Sequence, residues 1–279
     1  MAGLRELRKH LKSIKSIGQL AGAMKTVATA KYSRINAAHS AYTEYAGECR
    51  RILERFGADL AFAERPSAEA PRPPCFVVLG GNRGLCGSYN IELMSLFANT
   101  IEQHPDAIVV ACGKIAVQYC REKGISVCRE FVFDDVPNYS GAKELSEFLR
   151  TLYAEGKTDS IQILYQKFVN MLTQIPTCEP LLPCGAGSTD CEEEDFRTVY
   201  IPDRETVLKK TVLDCIDSAV YAELLECAAG NQAATIMAMR SAYDNSQESS
   251  AALETKINRI RQGEVTADVL EISYEHLEE

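Results

Sequence analysis

Apolar residues recur every seven positions in the first part of the chain. The repeat advances in alternating steps of three and four residues, and no proline interrupts it between Leu4 and about Phe56. Its rows hold Leu4, Leu7, Leu11, Ile14, Ala21, Ala28, Tyr32, Ile35 and Tyr42. A repeat sustained over several heptads favours a left-handed coiled coil. The pattern predicts one long N-terminal helix over residues 1–56, with its apolar rows facing another helix.

The last quarter of the chain, from about Val207 to Glu279, has the composition of a second long helix. It contains no proline, and its only glycines are Gly230 and Gly263, where the helix can bend or fray. Its seventy-odd residues span roughly 110 Å at about 1.5 Å per residue. A helix of that length needs a partner along its apolar stripe. We predict an antiparallel coiled coil of the two terminal helices; the alternative is two core helices of an all-α domain.

The segment between these helices alternates strand and helix patterns. Four prolines within Arg65–Pro74 predict a linker over residues 57–74. A folded domain over residues 75–200 then precedes the C-terminal helix at 201–279. The predicted strands are Cys75–Leu79, Ile108–Cys112, Ser126–Phe133, Ile161–Val169, Thr177–Pro183 and Thr198–Ile201, and the predicted helices are Ile91–Gln103, Lys114–Lys123 and Ala142–Glu155. This alternation predicts a small α/β domain with a largely parallel sheet.

Finer features of this domain also follow from the pattern. Ile161, Ile163 and Tyr165 are predicted to share one face of their strand, because alternate residues point the same way. Ser140 is the predicted N-cap of the third helix of the domain, and Asp203 that of the C-terminal helix. The acid-rich stretch Gly185–Asp195 is predicted to be a surface loop.

Composition narrows the class of protein. The longest apolar runs are far too short to cross a membrane, and the first residues have no apolar signal core, so we expect a protein kept in the cytoplasm. The eleven cysteines include no Cys-x-x-Cys pair, which disfavours zinc and a disulfide framework. We expect reduced, buried thiols, and we disfavour a redox pair between Cys184 and Cys191.

Charge is distributed unevenly along the chain, whose net charge is −9. Between Arg5 and Arg34 there are eight lysines and arginines and one acid, whereas six acids and no lysine or arginine follow Arg261. A basic helix can bind nucleic acid or an anionic surface. It can equally meet a protein partner lined with acids, or it can be a solvated face. Charge alone leaves these alternatives open.

A glycine-rich loop follows the first predicted strand. Gly81, Gly84 and Gly87 lie between a strand and a helix, where phosphate-binding loops occur. A Walker loop ends in Gly-Lys-Ser/Thr, but Ser88-Tyr89 follows here, and the spacing of a dinucleotide fingerprint is also absent. Tight backbone turning is the favoured role. The four histidines are far apart and no hydrolase or metalloprotease motif occurs, so we assign no catalytic, cofactor or metal residue.

Taken in order, the residues resemble the gamma subunit of F-type ATP synthase of the bacterial type. Ala23–Lys31 resembles the family's Ala-Met-x-x-Val-Ala-x-x-Lys, and Arg83–Gly87 with Asn90 resembles its most specific motif. The residues that carry the resemblance include Met24, Arg83, Gly84, Leu85, Cys86, Gly87, Asn90, Lys167–Asn170, Gln174–Thr177, Leu181–Pro183, Gln232, Met239, Asp244, Asn245, Arg261, Gln262 and Thr266. At one departure, Gly230-Asn231 stands where the family usually has Ser-Glu.

The resemblance implies a coiled-coil rotor shaft with a central Rossmann-like α/β domain. Such a shaft turns inside three alpha and three beta subunits, and its base binds the epsilon subunit and the c-ring of the membrane. It couples ion flow to ATP synthesis or hydrolysis on the beta subunits, and regulates ATPase activity and proton flow. It needs no cofactor and no nucleic acid, has no catalytic residue of its own, and lies peripherally on the cytoplasmic side of the cell membrane through its complex.

The resemblance also suggests where the shaft meets its partners. Met24 matches a family methionine and lies, with Lys25, where the shaft meets the moving levers of the beta subunits. Arg261, Gln262 and Thr266 are expected to form an upper contact with the same subunits. Two other classes of function remain to be tested, namely a phosphate-binding α/β protein and a coiled-coil scaffold or nucleic-acid binder.

Overall fold

The computed structural model describes residues 2–60, 72–183 and 200–275. Two long helices enclose an α/β segment in sequence. In chain order the elements are α1 Ala2–Leu60, β1 Cys75–Leu79, α2 Tyr89–Gln103, β2 Ile108–Cys112, α3 Lys114–Lys123, β3 Arg129–Phe131, α4 Tyr139–Ala154, β4 Ile161–Phe168, β5 Gln174–Leu182 and α5 Arg204–Glu275. Both long helices are continuous, and α5 runs through Gly230 and Gly263 without a break.

The strands form one sheet in the order β3-β2-β1-β4-β5. The pairs β1–β2, β1–β4 and β2–β3 are parallel, and only the edge strand β5 runs antiparallel, against β4. The prediction of a largely parallel sheet is confirmed. Because β1 is central, with β2 on one side and β4 on the other, the glycine-rich loop that follows it emerges at the middle of one edge of the sheet.

Helices cover both faces of the sheet, which explains why β1 is apolar at every position. Cys75, Val77 and Leu79 pack in the cluster that contains residues of α4, α5 and α1, whereas Phe76 and Val78 pack against α2 and α3. The predicted face of β4 is confirmed, since Ile161, Ile163 and Tyr165 all belong to the first cluster. The long C-terminal helix is thus part of the core of the α/β domain.

Contacts divide the chain into two compact units, Met1–Ala28 with Ile236–Glu279, and Thr29–Thr235. Each long helix contributes to both. This division differs from the sequence-based domains 1–56, 75–200 and 201–279, which stay a prediction.

In the first unit, the two helices pack through a heptad seam. On α5 the less exposed positions advance by alternating steps of four and three, at Ser246, Ser250, Leu253, Ile257 and Ile260. A Cβ atom added at Gly18 would lie 2.2 Å from Ser246 Oγ, so glycine permits the helices to approach closely there. Lys15 pairs with Glu254 at 2.6 Å, whereas Gly22 lies against Tyr243. Because partner numbers fall as α1 advances, the pair is antiparallel.

The second unit repeats this arrangement with bulkier residues. Ile35 is fully buried against Leu225 and Ala229. Tyr42 donates a hydrogen bond to Ser218 Oγ at 3.0 Å and packs edge-on against Tyr221. These contacts again run in opposite directions along the two helices. The predicted antiparallel coiled coil is confirmed within each unit, and the all-α alternative is excluded by the sheet.

Several predicted boundaries differ from the structure. The first helix continues to Leu60, so residues 57–60 of the predicted linker are helical, while residues 61–71 lie outside the described part. Strand β3 is limited to Arg129–Phe131 because only these residues pair with the end of β2. Tyr200 and Ile201 form no strand, and residues 198–199 lie outside the described residues, as do Cys184, Cys191 and the acidic stretch 185–195.

One helix cap is confirmed and one is wrong. The backbone N–H of Thr206 donates to Asp203 Oδ1 at 2.8 Å, as expected of an N-cap aspartate. For α4 the N-cap is Asn138, whose side chain accepts a hydrogen bond from the Gly141 N–H, and Ser140 lies inside the first turn. The helix begins earlier than predicted because asparagine caps as well as serine does.

Candidate functional site

The glycine-rich loop is folded back on the start of α2 by one buried asparagine. The N–H of Gly81 donates to Asn90 Oδ1 at 3.1 Å, and Asn90 Nδ2 donates to the Arg83 carbonyl at 3.2 Å. Gly87 has a positive φ of 60° and allows the chain to turn into α2. Asn90 and Cys86 are buried, whereas Arg83, Gly84, Leu85 and Gly87 face outward. These contacts support the turning role that the sequence favoured.

Two glycines let neighbouring backbones approach closely at this edge of the sheet. A Cβ atom at Gly81 would lie 2.5 Å from Asn231 Nδ2 of α5. At Gly113, where φ is +87°, a Cβ atom would lie 2.0 Å from the Gly80 carbonyl oxygen. Neither space admits a side chain, so the loop, the start of α3 and helix α5 form one tightly packed junction.

Helix α5 is held against this junction by polar contacts as well. The hydroxyl of Tyr89 donates to the Cys227 carbonyl at 2.8 Å, and the Cys227 thiol donates to the Leu79 carbonyl at 3.2 Å. A Cβ atom at Gly230 would meet the Tyr89 ring at 3.3 Å. The glycine that departs from the family pattern therefore leaves space for the tyrosine ring against the helix.

A small cleft of about 50 Å³ lies beside the loop. Among the described residues it is lined by Leu79, Gly80, Gly81, Asn82, Cys112, Gly113, Phe133, Asp134, Asp135, Pro137, Leu224, Cys227, Ala228, Asn231 and Gln232. This lining contains two carboxylates and no lysine or arginine, a charge that repels phosphate. The phosphate-binding alternative therefore finds no support in the cleft.

The loop itself occupies the start of α3, the other place where an anion binds to such folds. Asn82 Oδ1 accepts a hydrogen bond from the Lys114 N–H at 3.3 Å, and the Gly81 carbonyl accepts one from the Ile115 N–H at 3.0 Å. Free N–H groups at a helix N-terminus are what make an anion site. Because the loop accepts from two of them, it caps α3 in place of a ligand.

Three charged residues from separate parts of the chain meet near the cleft. Lys31 of α1 donates to Asp135 Oδ2, and Arg83 of the loop lies 3.7 Å from the same oxygen. The hydrogen bond from Lys31 is the main cause that lowers the pKa of Asp135 below its usual value. Lys31 and Arg83 were quoted above as family matches, but Asp135 was missed because nothing in its local sequence distinguishes it.

A second polar contact joins α4 to α5. Asp217 is 3% exposed, accepts a hydrogen bond from Ser146 and lies 3.1 Å from Arg150. Burial raises the pKa of Asp217, against the opposing effects of Ser146 and Arg150. The available signal in the sequence was an aspartate interrupting an apolar helical stripe.

A third group consists of Glu223 and Glu226 of α5 and Glu179 of β5. Glu223 is buried, and its Oε2 has no hydrogen-bond partner among the described residues. Burial, followed by the charge of Glu179, raises the pKa of Glu223 to about 8. Glu179 itself is 2.9 Å from Lys167 and 3.5 Å from Arg50. Burial alone would raise the pKa of Glu179, but these two partners lower it below its usual value. Glu226 accepts a hydrogen bond from the Phe168 N–H at 2.9 Å.

Two general properties hold for the described residues. Within 2–60, 72–183 and 200–275, no cluster of three or more histidines, cysteines or acids is arranged to hold a metal ion. In the same ranges, no helix combines the length and the apolar character that crossing a membrane requires.

Comparison with known proteins identifies the family. The family model described as ATP synthase matches residues 3–274. The ATP synthase gamma chain of Desulforamulus reducens is 30% identical over 275 residues, covering 98% of this chain and 97% of the relative. The chain belongs to the ATP synthase gamma-chain family. A gamma chain from Desulfitobacterium hafniense is 31% identical, with the same coverage.

Solved structures share the gamma-chain fold. A chain of the Euglena gracilis mitochondrial ATP synthase rotor matches with a TM-score of 0.71 and 18% identity, over 95% of this chain and 99% of that chain. A chain from the central stalk and c-ring of the Tetrahymena thermophila mitochondrial ATP synthase matches with a TM-score of 0.59 and 18% identity, over 80% and 99%.

The residues of this gamma chain that are expected to contact the beta subunits lie at two separate levels along the paired helices. Met24 and Lys25 are half-buried, and Lys25 Nζ lies 5.5 Å from the centre of the Tyr243 ring. Arg261, Gln262 and Thr266 are exposed. Tyr243 precedes Arg261 by 18 residues, or about 27 Å of helix, so the structure does not bring the two sets together.

The remaining residues of the C-terminal family motif divide by exposure. Gln232 and Met239 are buried, each with 8% exposure. Asp244 and Asn245 are exposed, and Asp244 lies 3.9 Å from Arg240 one turn earlier. The first two therefore contribute to packing within the gamma chain, and the last two are available to other molecules.

Proposed function

We propose that this chain is the rotating central shaft of an F-type ATP synthase. The paired helices turn within three alpha and three beta subunits, and the α/β domain binds the epsilon subunit and the c-ring. Rotation driven by ion flow changes the nucleotide affinity of each beta subunit in turn, and hydrolysis drives the reverse. Through these contacts the shaft also regulates ATPase activity and proton flow.

The observation that carries this proposal is the match of a gamma-chain family over nearly the whole chain. The geometry is consistent with the mechanical role. Two helices packed side by side resist twisting better than one, and in the second unit they are fixed to a sheet covered on both faces. A shaft with such a base can carry torque.

The chain is proposed to be a non-catalytic subunit. Among the described residues, two carboxylates and no lysine or arginine line its cleft, and the loop that resembles a phosphate loop caps a helix instead. Catalysis then belongs to the beta subunits. The protein is proposed to lie peripherally on the cytoplasmic side of the cell membrane and to associate with the membrane only through the complex, in which it takes part in ATP synthesis and hydrogen ion transport.

The test is co-expression with the alpha and beta chains of the same complex. We expect one copy of this chain for three of each, with ATPase activity in the complex and none in the purified chain alone. ATP turnover by the chain alone that persists through repeated purification, or failure to assemble with alpha and beta chains, would contradict the proposal.

A further inference from the structure

We propose that Asp135 is a positioning residue for torque transfer. Its carboxylate accepts a hydrogen bond from Lys31 and thereby attaches helix α1 to the sheet domain. The same carboxylate also lies close to Arg83 of the glycine-rich loop. The inference rests on the proposed shaft function. It concerns the second unit alone, within which all three residues lie.

The geometry places both cations on one oxygen. Lys31 Nζ and Arg83 Nη2 both approach Asp135 Oδ2, and the side chains of Lys31 and Asp135 are only 28% and 22% exposed. A partly covered charged hydrogen bond is stronger than an exposed ion pair, because solvent screens it less. The side chain of Arg83 is 64% exposed, so its contribution is the smaller one.

The segment that carries Asp135 is attached to the start of α3 through Asn82. Asn82 Nδ2 donates to the Phe133 carbonyl at 2.7 Å, while Asn82 Oδ1 accepts from the Lys114 N–H. One side chain therefore attaches the segment after β3 to the start of α3. A carboxylate fixed on a rigid segment forms a directional contact at little entropic cost.

The contact differs in kind from the apolar packing of α1. Ile35 and Tyr42 pack on α5, the other long helix of the shaft. Apolar packing is non-directional, whereas a hydrogen-bonded ion pair fixes the register of the two partners. Lys31 lies next to Tyr32, whose ring contacts Phe168 with centroids 6.2 Å apart, so polar and aromatic contacts with the sheet domain coincide on one turn of α1.

The first experiment measures the attachment in the full-length chain by hydrogen exchange. We expect Asp135→Asn to speed exchange of the backbone amides of residues 29–36 by about tenfold to a hundredfold, the range for loss of a charged hydrogen bond. Asp134→Asn removes the same charge at the exposed neighbouring position and is the matched control. Equal exchange in the two variants would overturn the inference, whether or not the shaft function is correct.

The second experiment measures coupling in the reconstituted complex. We expect Asp135→Asn and Lys31→Met to retain ATP hydrolysis but to lower the number of ions pumped per ATP, while Lys31→Arg keeps the charge and restores the ratio. The double variant is expected to lose no more than Asp135→Asn alone, because that change already removes the contact that Lys31→Met breaks. A normal number of ions pumped per ATP in Asp135→Asn would overturn the inference, and so would additive effects of the two changes in the double variant. A wild-type complex that does not couple ATP hydrolysis to ion pumping would contradict the proposed function instead.

Discussion

At the scale of single residues, Glu223 is a buried carboxyl group whose pKa is raised. It is a buried residue of α5 that lies near Glu179 of β5 and Glu226 of the same helix, with Arg50 of α1 and Lys167 of β4 as the cations of the cluster. Tyr165 of β4 also faces Glu179, and His39 of α1 faces Glu226. A neutral Glu223 avoids adding a negative charge next to Glu179, so the fold favours its protonated form.

This preference makes stability depend on pH. The pKa of Glu223 rises from 4.5 to about 8 on folding, so the unfolded chain releases a proton that the folded chain keeps. The contribution of Glu223 to the free energy of unfolding therefore falls as pH rises from 4.5 to about 8, and it stays constant above that pH. We expect Glu223→Gln to remove this pH dependence. The free energy of unfolding of the variant, relative to that of wild type, should then increase by up to about 1.4 kcal/mol per pH unit over this range.

The measurement is urea unfolding of both proteins at a series of pH values between these limits. Glu248→Gln, at an exposed position of the same helix, is the control. A stability difference between Glu223→Gln and wild type that stays constant with pH would show that Glu223 titrates alike in both states.

At the scale of elements, α4 and α5 are joined by a buried ion pair within an apolar interface. Arg150 and Asp217 are 14% and 3% exposed, respectively. Breaking such a pair leaves one charge buried without its partner, whereas replacing both with apolar groups removes the cost of burying charge. The pair therefore determines how α4 meets α5 more than it adds to stability.

We expect Arg150→Met to lower the free energy of unfolding by about 3–5 kcal/mol, because Asp217 stays buried without its cation. The double variant Arg150→Met, Asp217→Leu is expected to recover most of this loss. Chemical denaturation of the three proteins is the measurement. A loss below about 1 kcal/mol in the single variant would mean that the pair behaves as an exposed one.

At the scale of the whole molecule, the shaft is predicted to act through its outward faces. Lys25 is one such residue, although its contact with Tyr243 shows that part of its charge is used within the chain. We expect Lys25→Glu to change the ATPase rate and coupling of the assembled complex by roughly tenfold, the effect of about 1.4 kcal/mol. Tyr243→Leu removes the internal contact and keeps the charge, so an equal effect of both variants would remove Lys25 from the partner contacts.

The other predicted contact lies near the end of α5. Arg261 and Gln262 are exposed, and an arginine can hold a carboxylate with several fixed donors. We expect the double variant Arg261→Ala, Gln262→Ala to weaken assembly or turnover by about 2–5 kcal/mol if the contact is buried in the complex. Lys256→Ala is the control at an exposed position of the same helix. Normal assembly, ATPase rate and ion pumping in the double variant would show that Arg261 and Gln262 make no contact on which assembly or turnover depends.

The sequence by itself determined the two long helices, the alternation of strands and helices between them and the family. These depend on near neighbours: the heptad rows from Leu4 to Tyr42, the unbroken apolar run of β1 and the Asp203 cap are all local patterns, and the structure has each of them. A local pattern also misled at the start of α4, where Ser140 was the predicted N-cap and Asn138, two residues earlier, caps the helix.

Only the tertiary structure decided which polar and charged groups meet. Lys31 and Asp135 are 104 residues apart, and Ser146 and Asp217 are 71 residues apart, so no local spacing links them. Likewise, the space that excludes a side chain at Gly81 is set by Asn231 of α5, which is far from Gly81 in sequence. Burial and partner charges depend on the path of the whole chain, because electrostatic strength follows the local environment rather than the residue type.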